Sequence, residues 1–144
     1  MKLVDDMEEN QKNVPRFWEQ TLNDSRFSEL CILNDTVPNG ILGVSVYENP
    51  ENIFYYIAAS SSGKVPDGMC EYEIPASTWV IFENDGYFKE NVQSVFRRFY
   101  TEWLPFSGYE YAGLPDIEVY PVQNKTIQCG HSEVWIAVKK EKEN

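Results

Sequence analysis

The residues best suited to chemistry in this chain are carboxylates placed two positions from large aromatic side chains. Glu133, Trp135 and Ala137 alternate with Val134, Ile136 and Val138. Glu118 and Tyr120 alternate with Ile117 and Val119, and Trp79 and Ile81 with Val80 and Phe82. Side chains two apart on a strand share a face. Each aliphatic row therefore suits packing under helices, and each other row brings acids and rings to one surface. That surface has two readings. It is an exposed sheet face with cross-strand aromatic pairs and solvated acids, or it is a concave, aromatic-walled pocket holding one or two carboxylates. In a pocket, an ionised carboxylate is costly unless it is paired or protonated. A cationic ligand supplies the missing charge, and each ring adds a cation–π attraction of about 0.5–2 kcal/mol. Flat, lipophilic cations fit such a site best, because stacking demands little fixed hydrogen-bond geometry.

Other chemistries find fewer parts. Cys31, Cys70 and Cys129 are widely spaced and odd in number, which reads as three reduced, partly buried thiols. His131 is the only histidine and follows Gly130, so it reads as a solvated turn residue rather than a zinc ligand or catalytic base. No metal and no cofactor is expected.

Composition narrows the class further. The 144 residues suit one domain, and 23 acidic against 12 basic residues give a formal charge of −11. Such a chain lacks the Lys and Arg surplus that phosphate contacts need, so direct nucleic-acid binding is not expected. An aromatic content of 15% is too high for a disordered acidic chain. No run approaches the roughly 20 apolar residues of a membrane span, and MKLVDDMEEN has no apolar signal core. The expectation is a soluble, cytoplasmic domain without membrane contact.

The elements that must position these residues follow from periodicity and punctuation. Residues 2–5 form a short strand. Pro15 opens a helix to about Leu22, extending to Leu30 unless Asn23-Asp24-Ser25 interrupts it. Strands over 40–47 and 53–59 flank a short polar turn and form an antiparallel hairpin. After a loop over 60–68, residues 69–74 and 76–83 read as one long strand bent at Pro75 and ended by Asn84-Asp85-Gly86. Val92, Val95, Phe96, Phe99 and Trp103 lie on one helix face over 89–103, which Pro105 ends before a turn at Ser107-Gly108. Strands over 117–122 and 133–139 follow, then a charged tail. Both halves read strand, helix, strand, strand. The expected fold is α+β, an antiparallel sheet with helices on one face.

At these residues the sequence resembles the GyrI-like small-molecule-binding domain, the effector-binding module of AraC-type and MerR-type transcription regulators, here in free-standing form. The matching stretches are VPRFWEQ at 14–20, IFYYIAA at 53–59, VPDGM at 65–69, IPASTWVIF at 74–82, FYTEWLPFSGYEYAGLPDIEVYP at 99–121 and SEVWIAVKK at 132–140. The resemblance implies one effector-binding domain over 1–144, with residues 140–144 as a charged tail. It implies two β-α-β-β units related by a pseudo-twofold, with a ligand cleft between them. It also implies a central glutamate in the last strand that meets cationic hydrophobic ligands, and the matching residue is Glu133. Aromatic walls would come from Tyr56, Trp79, Trp103, Tyr120 and Trp135, with Tyr109, Glu110 and Glu118 nearby. Tyr56 and Trp103 are equally readable as core aromatics. The first strand is shorter than the family pattern, leaving a sheet edge open to a second copy. A helix-turn-helix ahead of the domain is not expected, and Ala137 stands where the family often has proline.

Three functions compete at this point. The first is a binding module for amphipathic, cationic, aromatic small molecules, acting alone, as a homodimer or with a partner regulator. The second is a hydrolase that opens strained cyclopropane rings of alkylating natural products, with Glu133 and Glu118 or Tyr56 as acid and base. The third is a gyrase-interacting or other protein-binding regulator.

Overall fold

The computed structural model describes residues 1–4, 7–85, 94–127 and 130–141. Expectations that touch Asp5, Gly86, residues 89–93, Cys129 and residues 142–144 lie outside that range.

The first helix starts earlier than apolar spacing predicts. α1 spans Met7–Leu22 and carries Pro15 within it. Glu8 and Glu9 occupy its first turn, where carboxylates complement the helix dipole. Polar residues ahead of the proline therefore join a helix whose apolar stripe begins only at Val14. Asn23 and Asp24 do break the chain. α2 (Ser25–Leu33) then starts on Asp24, whose carboxylate accepts from the Arg26 N–H at 3.2 Å.

β1 (Ile41–Asn49) and β2 (Asn52–Ala58) form the expected antiparallel hairpin. From 59 to 77 the chain has no helix or strand. The long strand expected from 69 is reduced to β3 (Thr78–Asp85). Its register explains why. Thr78 pairs with Val138 near the end of the last strand, which stops at Lys140, so residues before 76 have no neighbour to bond.

α3 covers residues 94–107 and does not stop before Pro105. A π turn over Phe99–Trp103 leads into a final α turn over Leu104–Ser107. The proline thus sits in the first turn of a new α segment, where its missing N–H costs little. Gly108, at φ 75°, closes the helix in the left-handed conformation.

The remaining strands are β4 (Tyr109–Tyr111), β5 (Asp116–Tyr120), β6 (Val122–Gln123), β7 (Thr126–Ile127) and β8 (His131–Lys140). The short β6–β7 ribbon turns on Asn124 and Lys125, both at positive φ.

The main sheet runs β2-β1-β5-β8-β3, with β4 alongside the end of β8. Its order is a palindrome. β1 and β5 meet at the centre, β2 and β8 flank them, and β3 lies outside β8. On the opposite margin, Lys2 bridges Phe54 of β2, where the matching outer strand would lie. The fold is therefore α+β, two β-α-β-β units about a pseudo-twofold between β1 and β5. The helices cover one face. Trp18, Phe27 and Leu30 pack on Ile41, Tyr55 and Tyr120, while Phe99 packs on Val134, Ile136 and Val138. The far face buries Leu42, Val44, Val46, Ile117 and Val119.

β8 and β3 orient as alternation predicts, but β5 is reversed. Ile117 and Val119 lie on the far face, and Glu118 and Tyr120 lie beneath the helices. β5 is central and covered on both sides, so an aliphatic row does not mark which side carries the helices.

Candidate functional site

The reversal of β5 assembles the most unusual chemistry in the molecule. Asp116, Glu118 and Tyr120 share the helix-facing side of a central strand. Trp18 of α1 stands at one end of this row, 5.1 Å edge-on from the Tyr120 ring. Tyr100 of α3 stands at the other, 6.2 Å from the Tyr111 ring.

Glu118 is held by phenols. The Tyr120 hydroxyl donates to Glu118 Oε1 at 2.5 Å, and the Tyr55 hydroxyl also donates to this carboxylate. Tyr55 in turn accepts from the Trp18 indole N–H at 2.9 Å. Room for this arrangement comes from Gly43, directly across from Glu118 on β1. A Cβ at that position would collide with the Tyr55 hydroxyl and lie 3.0 Å from Glu118 Oε2. Burial raises the Glu118 carboxyl above its ordinary value, the two phenol hydrogen bonds oppose that, and nearby Asp116 adds to the rise.

Asp116 repeats the pattern. It is only 4% exposed and accepts from the Tyr111 hydroxyl at 3.2 Å and from the Tyr47 hydroxyl. Burial pushes its carboxyl up to about 6 despite those bonds. Burial and the neighbouring carboxylates also raise Tyr47, Tyr55, Tyr111 and Tyr120, which keeps these phenols protonated as donors. Among the described residues, no Lys or Arg pairs with Asp116 or Glu118. The ion pairs are peripheral: Arg26–Asp24, Arg98–Glu102, His131–Asp85 and Lys139–Glu110.

The residues singled out from sequence divide between the two faces. Glu118 and Tyr120 lie in the acidic row under the helices. Trp103 stacks on Phe99 at 5.6 Å and on Tyr109 at 6.0 Å in the core beneath α3. Glu110 is a surface residue 3.6 Å from Lys139. Glu133, Trp135, Trp79 and Tyr56 belong to the far face. Trp79 and Trp135 lie 6.1 Å apart, and the Trp135 indole donates to Glu133 at 3.0 Å. Glu133, expected to be the buried central acid, is only half-buried and faces Glu83 across the strand pair. The acid–base pair of Glu133 with Glu118 is not assembled, because these side chains point to opposite sides of the sheet. His131 opens β8, with Nδ1 2.8 Å from Asp85, and that hydrogen bond raises its pKa. Cys31 is partly buried, which raises its thiol, and Cys70 is exposed.

Sequence reading missed Asp116, Tyr55, Tyr111, Tyr47, Trp18 and Gly43. One signal was present. In DIEVY the period of two places Asp116 on the row of Glu118 and Tyr120.

This architecture is that of the GyrI-like effector-binding domains. Among solved structures, the chain is similar to SAV2435 bound to tetraphenylphosphonium, with a TM-score of 0.75, 20% identity, and coverage of 96% of this chain and 84% of that one. It is also similar to a Staphylococcus aureus MU50 protein assigned to bacterial transcription regulation, with a TM-score of 0.71, 19% identity, and coverage of 96% and 95%. No curated protein matches the chain. The family model for Cass2, the integron-associated effector binding protein, matches residues 2–138, and the chain belongs to that family of small-molecule effector-binding proteins. No helix among the described residues is long and apolar enough to cross a membrane.

Proposed function

We propose that this protein binds aromatic, lipophilic cations on the helix side of the sheet, with Glu118 as the central counter-charge and Asp116 beside it. The observation that carries this reading is the pair of buried carboxylates on one strand, hydrogen-bonded to phenols and indirectly to an indole, with no Lys or Arg partner among the described residues. Hydroxyl donors offset part of the desolvation cost but bring no compensating charge. A bound cation would supply that charge, close to the buried rings of Trp18, Tyr55 and Tyr120. Neutral donors suit a reversible site better than a resident Arg, which a guest would have to displace.

Glu133 takes a lesser part in this reading. It lies on the other side of the sheet and already accepts from Trp135. The solved relative bound to tetraphenylphosphonium makes that ion the natural first probe. Titration followed by tryptophan fluorescence should give saturable binding to the wild type. Glu118→Gln should weaken it about 10- to 100-fold, the range of a charge-assisted contact, and Glu133→Gln should leave it unchanged. The reverse ranking would return the central role to Glu133. Unchanged binding in both variants would remove the carboxylate mechanism altogether.

A further inference from the structure

At the end of the acidic row away from Trp18, tyrosines from three elements gather on Asp116. Tyr47 comes from β1, Tyr111 from β4 and Tyr100 from α3. The Tyr47 and Tyr111 hydroxyls reach the carboxylate, and the Tyr100 and Tyr111 rings stand 6.2 Å apart at 64°. Tyr100 lies in the π turn of α3, and such turns recur at functional sites. Burial first, and then the Asp116 charge, raise all three phenols, so each ring stays neutral.

The Asp116 charge is thinly compensated. An ionised carboxylate has room for about four hydrogen bonds. Tyr47 donates one, and its oxygen accepts from Ser45, which lies opposite Asp116 on β1. The single Tyr111 proton is shared, since that hydroxyl lies 3.1 Å from the Leu114 carbonyl and 3.2 Å from Asp116 Oδ1. No Lys or Arg among the described residues pairs with Asp116. The rings lie nearer the surface than the acid: Tyr47 is 50% and Tyr100 46% exposed, against 4% for Asp116. A guest therefore meets the rings first and the charge behind them. That order suits an ammonium ion whose hydrogens are all replaced by alkyl groups. Such an ion has no N–H to satisfy, and rings within about 6 Å hold it by cation–π attraction.

We propose that Tyr47, Tyr100, Tyr111 and Asp116 form a second site, which takes the compact quaternary ammonium head of a small molecule. It uses none of the rings around Glu118, and it stands whether or not aromatic cations bind there.

Choline and its uncharged carbon isostere 3,3-dimethyl-1-butanol, titrated by calorimetry against the full chain, test the assignment. Choline should bind saturably, and the isostere at least about tenfold more weakly, since it lacks only the charge. Tyr100→Ala should weaken choline binding about fivefold or more, whereas Tyr100→Phe, which keeps the ring, should bind it as the wild type does. Asp116→Asn should cost choline more than Glu118→Gln does. Equal binding of the two isosteres, or no saturable choline binding, overturns the proposal, and neither result depends on a variant folding. Choline binding lost in Glu118→Gln and kept in Asp116→Asn also overturns it, by moving the ion to Glu118. Failure of tetraphenylphosphonium to bind while choline does would count against the Glu118 reading alone.

Discussion

Two carboxylates and one missing side chain decide what this molecule can do at the scale of single residues. Gly43 leaves the space in which Tyr55 reaches Glu118. Gly43→Ala should destabilise the fold by about 1–3 kcal/mol, as overpacking does, and should weaken cation binding in the same variant. Chemical denaturation and dye titration measure the two effects separately. Asp116 gives a pH signature whose sign is fixed. Its folded-state pKa of about 6 lies above the ordinary 3.8, so the folded state holds the proton more tightly than the unfolded chain. The contribution of Asp116 to stability is therefore fully present below about pH 4, falls as the pH rises towards 6, and then levels off. Glu118 is shifted in the same direction, and the Tyr47, Tyr100 and Tyr111 phenols around Asp116 stay neutral throughout. Asp116→Asn should flatten the decline between pH 4 and 7 and stabilise the protein at neutral pH, as thermal melts across that range will report. Cation binding should strengthen over the same interval, because the guest favours the ionised form.

At the scale of elements, Asn34 joins three segments. It caps α2 with its N–H to the Leu30 carbonyl at 3.1 Å. Its amide donates to the Pro38 and Ser60 carbonyls at 3.2 and 3.3 Å, and its Oδ1 accepts from the Gly40 N–H at 3.0 Å. Asn34→Ala should cost about 1–3 kcal/mol, since several backbone groups lose a partner together. Urea unfolding would register this as a lower midpoint with an unchanged slope. The hairpin, the break at Asn23-Asp24 and the row under α3 were all legible in the sequence, because each has its own local signal. Other elements depended on distant partners. The run over 69–74 alternates like a strand, but β8 ends too early to pair with it. The polar first half of α1 lacks an apolar stripe and is recognisable mainly by Glu8 and Glu9 in its first turn. The acidic row was visible as a pattern, yet its face was not. On a strand covered on both sides, Ile117 and Glu118 are equally plausible occupants of the helix side until the neighbours are known.

At the scale of the whole molecule, a charge of −11 draws cations from a distance, whereas Glu118 holds them at close range. These contributions respond differently to salt. Raising ionic strength shortens the screening length to about 10 Å at 0.1 M. The association rate of tetraphenylphosphonium should then fall while its dissociation rate changes little, and stopped-flow fluorescence resolves the two. The palindromic sheet sets the remaining behaviour. Among the described residues, backbone pairing joins its two halves through β1 and β5, the strands that bear Gly43, Asp116 and Glu118.

β8 is bonded along β3 on one side and along β5 and then β4 on the other. Its backbone is the most enclosed in the sheet, in contrast to the margin of β2. In heavy water, the amide protons of Val134 to Val138 should be among the last to be replaced, and only when the entire chain opens. Those of Ile57 and Ala58 should be lost through small, frequent local openings.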